Sequence, residues 1–223
     1  TYLDGAEQIA ALLDAADLLD AHPRATHRGV RRVALAVQVF GGLRIGEVVA
    51  LRWRDINLAD GRMTVRGTKT TAAERVVPML PVLRDELATW RTRTKHPAAT
   101  DLVIATGEGT AWSDDNIRNR IVHPARKLAD DAMREKGQAP LPVITPHSLR
   151  RTAVSLWEVV GWSMTDSRVA LGHESAKLTL EVYSRPMLLG DQQRDALRAL
   201  IEGAEFDGSR SVSREMREES LPR

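Results

Sequence analysis

The chain has 223 residues, 43% of them apolar, with a formal net charge of +2 and no cysteine. That length and apolar content support one large buried core or two small ones, and the missing cysteines exclude disulfides and thiolate metal sites. No stretch of about 18 apolar residues is present to span a membrane, and the acidic start is unlike a secretory leader.

These features are those expected of a cytoplasmic protein of bacterial type. The first residue is Thr1 rather than methionine, which is consistent with a piece of something longer. Charge is unevenly distributed. Residues 1–23 carry five acids and no Lys or Arg, whereas residues 24–70 carry ten Lys/Arg against Glu47, Asp55 and Asp60. Such a block is either a solvated surface or a face that neutralises phosphates, and composition alone does not separate the two.

In chain order, the alanine- and leucine-rich residues 5–21 predict a helix. Residues 29–40 predict a second, mostly buried one, ended by Gly41-Gly42. A short third helix is expected over 44–53. After the Asp60-Gly61 turn the apolar period changes from helical to alternating. The runs RMTVRG and AERVVPM, joined by the polar segment TKTTA, predict a β-hairpin. Pro81 opens another helix to about residue 94, and DLVIAT (101–106) reads as a strand or a loop. Residues 113–137 are helical on both sides of Pro124, which should break or kink that helix. GQAPLP is a loop. Thr145 and Pro146 then mark the start of a helix over 146–160, with Leu149, Ala153, Leu156 and Val160 at core-facing spacing and Gly161 at its end. Two short helices near 165–171 and 175–183 and a last one over 190–204 complete the pattern. The polar tail from Glu205 is expected to be disordered. The fold class is mainly α (α+β): a helical domain over residues 1–204 with a small antiparallel hairpin or three-stranded sheet.

One stretch raises a chemical question. TPHSLRRTAVSLW (145–157) places His147, Arg150 and Arg151 at a helix start, where the positive end of the dipole disfavours cations. Other reactive groups lie elsewhere: Arg44 after the Gly-Gly turn, Lys69 at the hairpin tip, His173 in LGHES and Tyr183 in LEVYSRP. Each alone is more often structural than functional. Together they suit phosphoryl transfer. Arginine forks match the non-bridging oxygens of a phosphodiester. Histidines donate hydrogen bonds or carry protons near neutral pH. A lysine protonates a leaving alkoxide, and a tyrosine hydroxyl relieved of its proton attacks phosphorus. Preorganised cations then supply most of the stabilisation, and neither a metal nor another cofactor is required.

Three segments resemble the tyrosine recombinases, the phage integrase family. GLRIGEVVALRWRDI is similar to that family's first box, TPHSLRRTAVS to its His-x-x-Arg box, and LGHES…TLEVYSR to the Leu-Gly-His segment and nucleophilic tyrosine. The resemblance spans about residues 5–203. It implies that Tyr183 forms a 3′-phosphotyrosyl link and frees a 5′-hydroxyl. Arg44 and Arg150 would hold the scissile phosphate, Lys69 would be the general acid, His147 would accept the tyrosine proton, and His173 would bond the phosphate or the nucleophile. Glu47 matches a supporting acidic position, expected to orient Arg44 or a histidine. Arg151 and Arg66 are expected to contact the DNA backbone, Arg151 alternatively forming a surface ion pair.

The resemblance further implies a double-stranded DNA attachment site as partner and a homotetramer on DNA, with a monomer expected when free. It implies action in the bacterial cytoplasm at the nucleoid, for integration or excision of a phage or mobile element. The helix at 190–204 would dock on a neighbouring protomer, or else pack on its own domain. The family's N-terminal core-binding domain has no counterpart in these residues, so the chain reads as the catalytic domain. Three alternatives remain: a non-catalytic DNA-binding relative, a type IB topoisomerase-like activity, and a metal-dependent nuclease. No Asp/Glu pair lies beside the histidines in sequence to favour the last.

Overall fold

A computed structural model of the chain describes residues 2–22, 29–67, 74–172 and 191–202. The first helix, α1 (Ala6–Ala21), puts Ile9, Leu12, Leu13 and Ala16 into the core. The second, α2 (Val30–Gly41), is buried along nearly its whole length. Its two arginines do not face solvent as a free basic patch. Arg31 pairs with Asp20 at 2.8 Å, while Arg32 pairs with Asp17 at 2.8 Å and Glu86 at 2.6 Å. The basic block is thus partly an internal counterweight to the acidic helix before it, and only part of it remains for an anionic partner.

The short helix α3 (Ile45–Ala50) and a 3-10 turn (Trp53–Asp55) lead into a three-stranded antiparallel sheet. Its strands β1 (Ile56–Asn57), β2 (Arg62–Val65) and β3 (Arg75–Pro78) lie in sequence order. The expected hairpin is the β2–β3 pair, with Met63 opposite Val77 and Val65 opposite Arg75. The Asp60-Gly61 turn adds β1 on the other side. Next comes α4 (Pro81–Arg93), with its proline in the first turn as expected. DLVIAT makes only isolated bridges, Arg52–Leu102 and Ala105–Ala111.

Pro124 neither breaks the helical path nor leaves it purely α. The backbone stays right-handed helical from α5 (Asp114–Ile117) through a π turn (Arg118–Val122) into α6 (His123–Glu135). One wider turn just before the proline accommodates a ring that lacks an N–H and crowds the preceding carbonyl.

Thr145 caps α7 (Pro146–Val159): its Oγ1 accepts from the Ser148 amide at 3.1 Å, and the Thr145 amide donates to Ser148 Oγ at 2.8 Å. Helix α8 (Met164–Leu171) follows the positive-φ Gly161, and α9 (Asp191–Glu202) is the last described element. The expected helix near 175–183 and the tail beyond 204 lie outside the described residues.

The centre of the molecule is the contact of α2 with α7, flanked by α1 against α2 and α6. Trp157 of α7 is fully buried, and its indole N–H donates to the Phe40 carbonyl at 3.0 Å. Gly42, which ends α2 with φ +62°, lies against this indole. A Cβ there would sit 2.8 Å from Trp157 Cη2. Only glycine combines that backbone with so close an approach.

At the far end, Leu197 and Ile201 of α9 are buried, and α9 packs on α4 and α7 of its own chain. Of the two arrangements open for this helix, the structure shows the intramolecular one: its apolar stripe already has a partner. Among the described residues no helix is long and apolar enough to cross a membrane.

Candidate active site

The turn from α2 into α3 sets the site. Arg44 occupies the N-cap of α3, and Glu47 is one turn on at its third position. The Glu47 carboxylate, 5% exposed, reaches back to accept the Arg44 amide at 2.8 Å. Its Oε1 also accepts from Arg44 Nη1 at 3.0 Å. Arg150, on the second turn of α7, approaches the same carboxylate at 3.8 Å. Two arginines separated by more than a hundred residues therefore converge on one acid. Helix α7 brings Arg150 inward because its neighbours Leu149 and Ala153 face the core. Arg150 is 5% exposed and donates through Nη1 to the Gly42 carbonyl and through Nη2 to the Leu171 carbonyl. Each of those nitrogens carries a second N–H. Arg44 is 49% exposed, so its guanidinium forms the open side of the cluster.

Sequence reasoning missed a third guanidinium. Arg75 of β3, 7% exposed, forks onto Glu47, with Nη1 on Oε1 and Nη2 on Oε2, both at 2.9 Å. A signal for it was present. Arg75 lies two residues before the buried Val77, opposite Val65, so period two puts its side chain on the sheet's inward face. An arginine there needs a carboxylate.

The electrostatics follow from this geometry. Burial alone would raise the Glu47 carboxyl, but the Arg75 bonds, the Arg44 amide and the Arg150 charge outweigh it and hold Glu47 below its ordinary value. Burial first, then the Arg44 charge, push Arg150 down to about 9; Glu47 opposes the shift and Arg75 adds to it. His147 is exposed at the helix mouth. Its imidazole is also shifted down, by partial burial and then by Arg151, Arg150 and Arg44. The neutral form, able to accept a proton, is therefore favoured near pH 7.

The other expected residues fall as follows. Arg151 has a buried Nε without a hydrogen-bond partner, and no ion pair holds it among the described residues. Arg66 is already met by Asp55 and Glu74, both at 2.9 Å. Glu47 orients arginines, and no histidine bonds it among the described residues. Lys69, His173 and Tyr183 lie outside the described residues. Within the described residues no group of three His, Asp or Glu is placed to hold a metal ion.

The Phage integrase family model matches residues 5–187, and the chain belongs to that family. It is 30% identical to the tyrosine recombinase XerC of Bifidobacterium longum (strain DJO10A) over 170 residues, 70% of this chain and 44% of that protein. It is 24% identical to the integrase of Staphylococcus phage L54a over 174 residues, 68% of this chain and 46% of that protein. The chain thus spans about half the length of the curated relatives it matches. Its fold is similar to that of a lambda integrase (75-356) dimer solved bound to a COC′ core site, with TM-score 0.59 and 22% identity, over 82% of this chain and 58% of that one.

Proposed function

We propose that this chain is the catalytic domain of a site-specific recombinase that cuts and rejoins duplex DNA through a covalent bond to Tyr183. One observation carries the reading: three guanidiniums from three separate segments share a single buried carboxylate. Positive charge in excess of the acid that organises it, with Arg44 open to solvent, suits a phosphodiester. The same excess explains the cations at the mouth of α7.

In this reading Arg44 and Arg150 hold the non-bridging oxygens of the scissile phosphate. The Tyr183 oxygen attacks phosphorus, the P–O5′ bond breaks, and a 3′-phosphotyrosyl link forms. His147 takes the phenolic proton, and Lys69 gives one to the leaving 5′-oxygen. His173 hydrogen-bonds the phosphate or the nucleophile. Because the link keeps the phosphodiester energy, a 5′-hydroxyl of another strand reverses the step without ATP. Arg151 contacts the DNA backbone in this reading, whereas Arg66 has two carboxylates to satisfy first.

The biological setting is integration or excision of a phage or mobile element, in the bacterial cytoplasm at the nucleoid. The phage integrase among the relatives supports this, and the DNA-bound lambda dimer supports a DNA duplex as partner. The chain assembles as a homotetramer on its site and is a monomer when free.

The test is covalent trapping of the intact chain on a pool of nicked duplexes randomised on both sides of the nick, run on a denaturing gel. The proposal predicts an adduct that survives EDTA and is absent in Tyr183→Phe. Metal-dependent cleavage without an adduct, or binding without cleavage, would contradict it.

A further inference from the structure

Arg75 commits all three of its guanidinium nitrogens, each through one N–H. Nη1 and Nη2 are committed to Glu47, and Nε donates to the Ala170 carbonyl at 2.6 Å. Both of its terminal nitrogens bond Glu47 directly, whereas those of Arg150 bond backbone carbonyls and approach that acid only at 3.8 Å. Through Nε it also grips the end of α8. The last carbonyls of a helix lack partners within it and carry its negative dipole end, so cations are favoured there. Three successive carbonyls are taken by three arginines: Ala170 by Arg75, Leu171 by Arg150, and Gly172 by Arg44 at 3.4 Å. All three arginines also face Glu47. Gly172 makes the approach possible. Its φ is +62°, and a Cβ there would lie 3.1 Å from Arg75 Cδ and 3.3 Å from Nε. The next residue in sequence is His173.

We propose that Arg75 is a positioning residue: it clamps Glu47 to the carbonyl end of α8 and thereby sets where Arg44 and Arg150 present their free N–H groups. The inference rests on the reading of the site as a phosphodiester site. It extends that reading by giving β3 a role in the chemistry that no DNA contact would reveal. Arg75 contributes through Glu47 and through the backbone, never through the reacting atoms.

The experiment compares wild type, Arg75→Gln and Arg75→Lys on the same nicked-duplex pool. The readouts are adduct rate against pH, retention of the duplex against salt, and the Glu47 carboxyl titration by carbon NMR. Arg75→Gln should slow adduct formation roughly 10- to 100-fold, the scale on which a group supporting a ligand shell acts. The salt slope of DNA retention should stay as in wild type, because no phosphate contact is lost. Glu47, left with Arg44 and Arg150 only, should titrate at higher pH, and the acid limb of the cleavage profile should move with it. Arg75→Lys, which keeps the charge without the fork, should fall between, and it decides the matter if Arg75→Gln does not fold. An Arg75→Gln rate and acid limb equal to wild type would overturn the inference and leave the proposed function standing. A salt slope reduced by about one would overturn it too, by making Arg75 a direct phosphate contact. Wild-type protein that forms no adduct would overturn the proposed function and this inference with it.

Discussion

Replacing Glu47 by glutamine tests the organising role of its charge. The carboxylate accepts four hydrogen bonds, two from Arg75, one from the Arg44 guanidinium and one from the Arg44 amide, with Arg150 at 3.8 Å. A glutamine keeps one acceptor oxygen and turns an amide NH₂ toward guanidinium donors. Hydrogen bonds to charged groups contribute about 1.5–3 kcal/mol each and neutral ones about 1, so several weakened bonds sum to a few kcal/mol. The buried Arg75 and Arg150 also lose their counter-charge, and breaking a buried pair from one side costs about 3–5 kcal/mol. Since these two descriptions cover the same interaction, the expected loss is about 3–5 kcal/mol. For a chain of this size each kcal/mol lowers Tm by about 2–4 °C, so a drop of roughly 10 °C is expected by calorimetry or circular dichroism. Asp115→Asn provides the contrast. Asp115 is 82% exposed and pairs with Arg118 within one helical turn, so its loss should stay within about 0.5 kcal/mol. If Glu47→Gln melted within a degree or two of wild type, the carboxylate would not be holding the arginines, and the account of the site would fail.

Gly42→Ala should destabilise by about 1–3 kcal/mol through the clash with Trp157, with more from the left-handed backbone; an unchanged urea midpoint would show that α2 and α7 are not in this contact. His147 should titrate below its ordinary 6.5 in a proton NMR series. Because the unfolded chain then binds the proton more readily, the stability tied to His147 is present above about pH 6.5 and fades as pH falls through the folded value. A midpoint above 6.5 would refute this. Arg150→Ala should lose adduct formation far more than Arg151→Ala, since Arg150 sits inside the Glu47 cluster and Arg151 makes no ion pair with that acid; equal losses would contradict the assignment.

Much of this arrangement was legible in the sequence because it is written in local signals. Thr145-Pro146, Pro81 and the glycines at 42 and 161 mark helix ends by backbone chemistry, and the described elements begin and end near them. The switch from helical to alternating apolar spacing located β2 and β3. What local signals could not carry was pairing at a distance. Arg31 and Arg32 looked like part of a basic face until α1 folded its acids onto them. Pro124 looked like a helix breaker, yet a single π turn accommodates it. Arg75 carries no signal at the hairpin tip, and only the buried Val77 two residues on marks the inward face on which it lies. The sequence marks Glu47 as a supporting acid, but that it gathers three arginines depends on α3, α7 and β3 meeting, which no spacing in the chain reveals.

The most direct measurement is mass spectrometry of the trapped protein–DNA adduct after nuclease and protease digestion. The account predicts a nucleotide joined through phosphate to the peptide that contains Tyr183, with its yield cut sharply by Arg44→Ala and by Arg150→Ala. A nucleotide on any other residue, or an unmodified Tyr183 in protein that has cut its DNA, would contradict it.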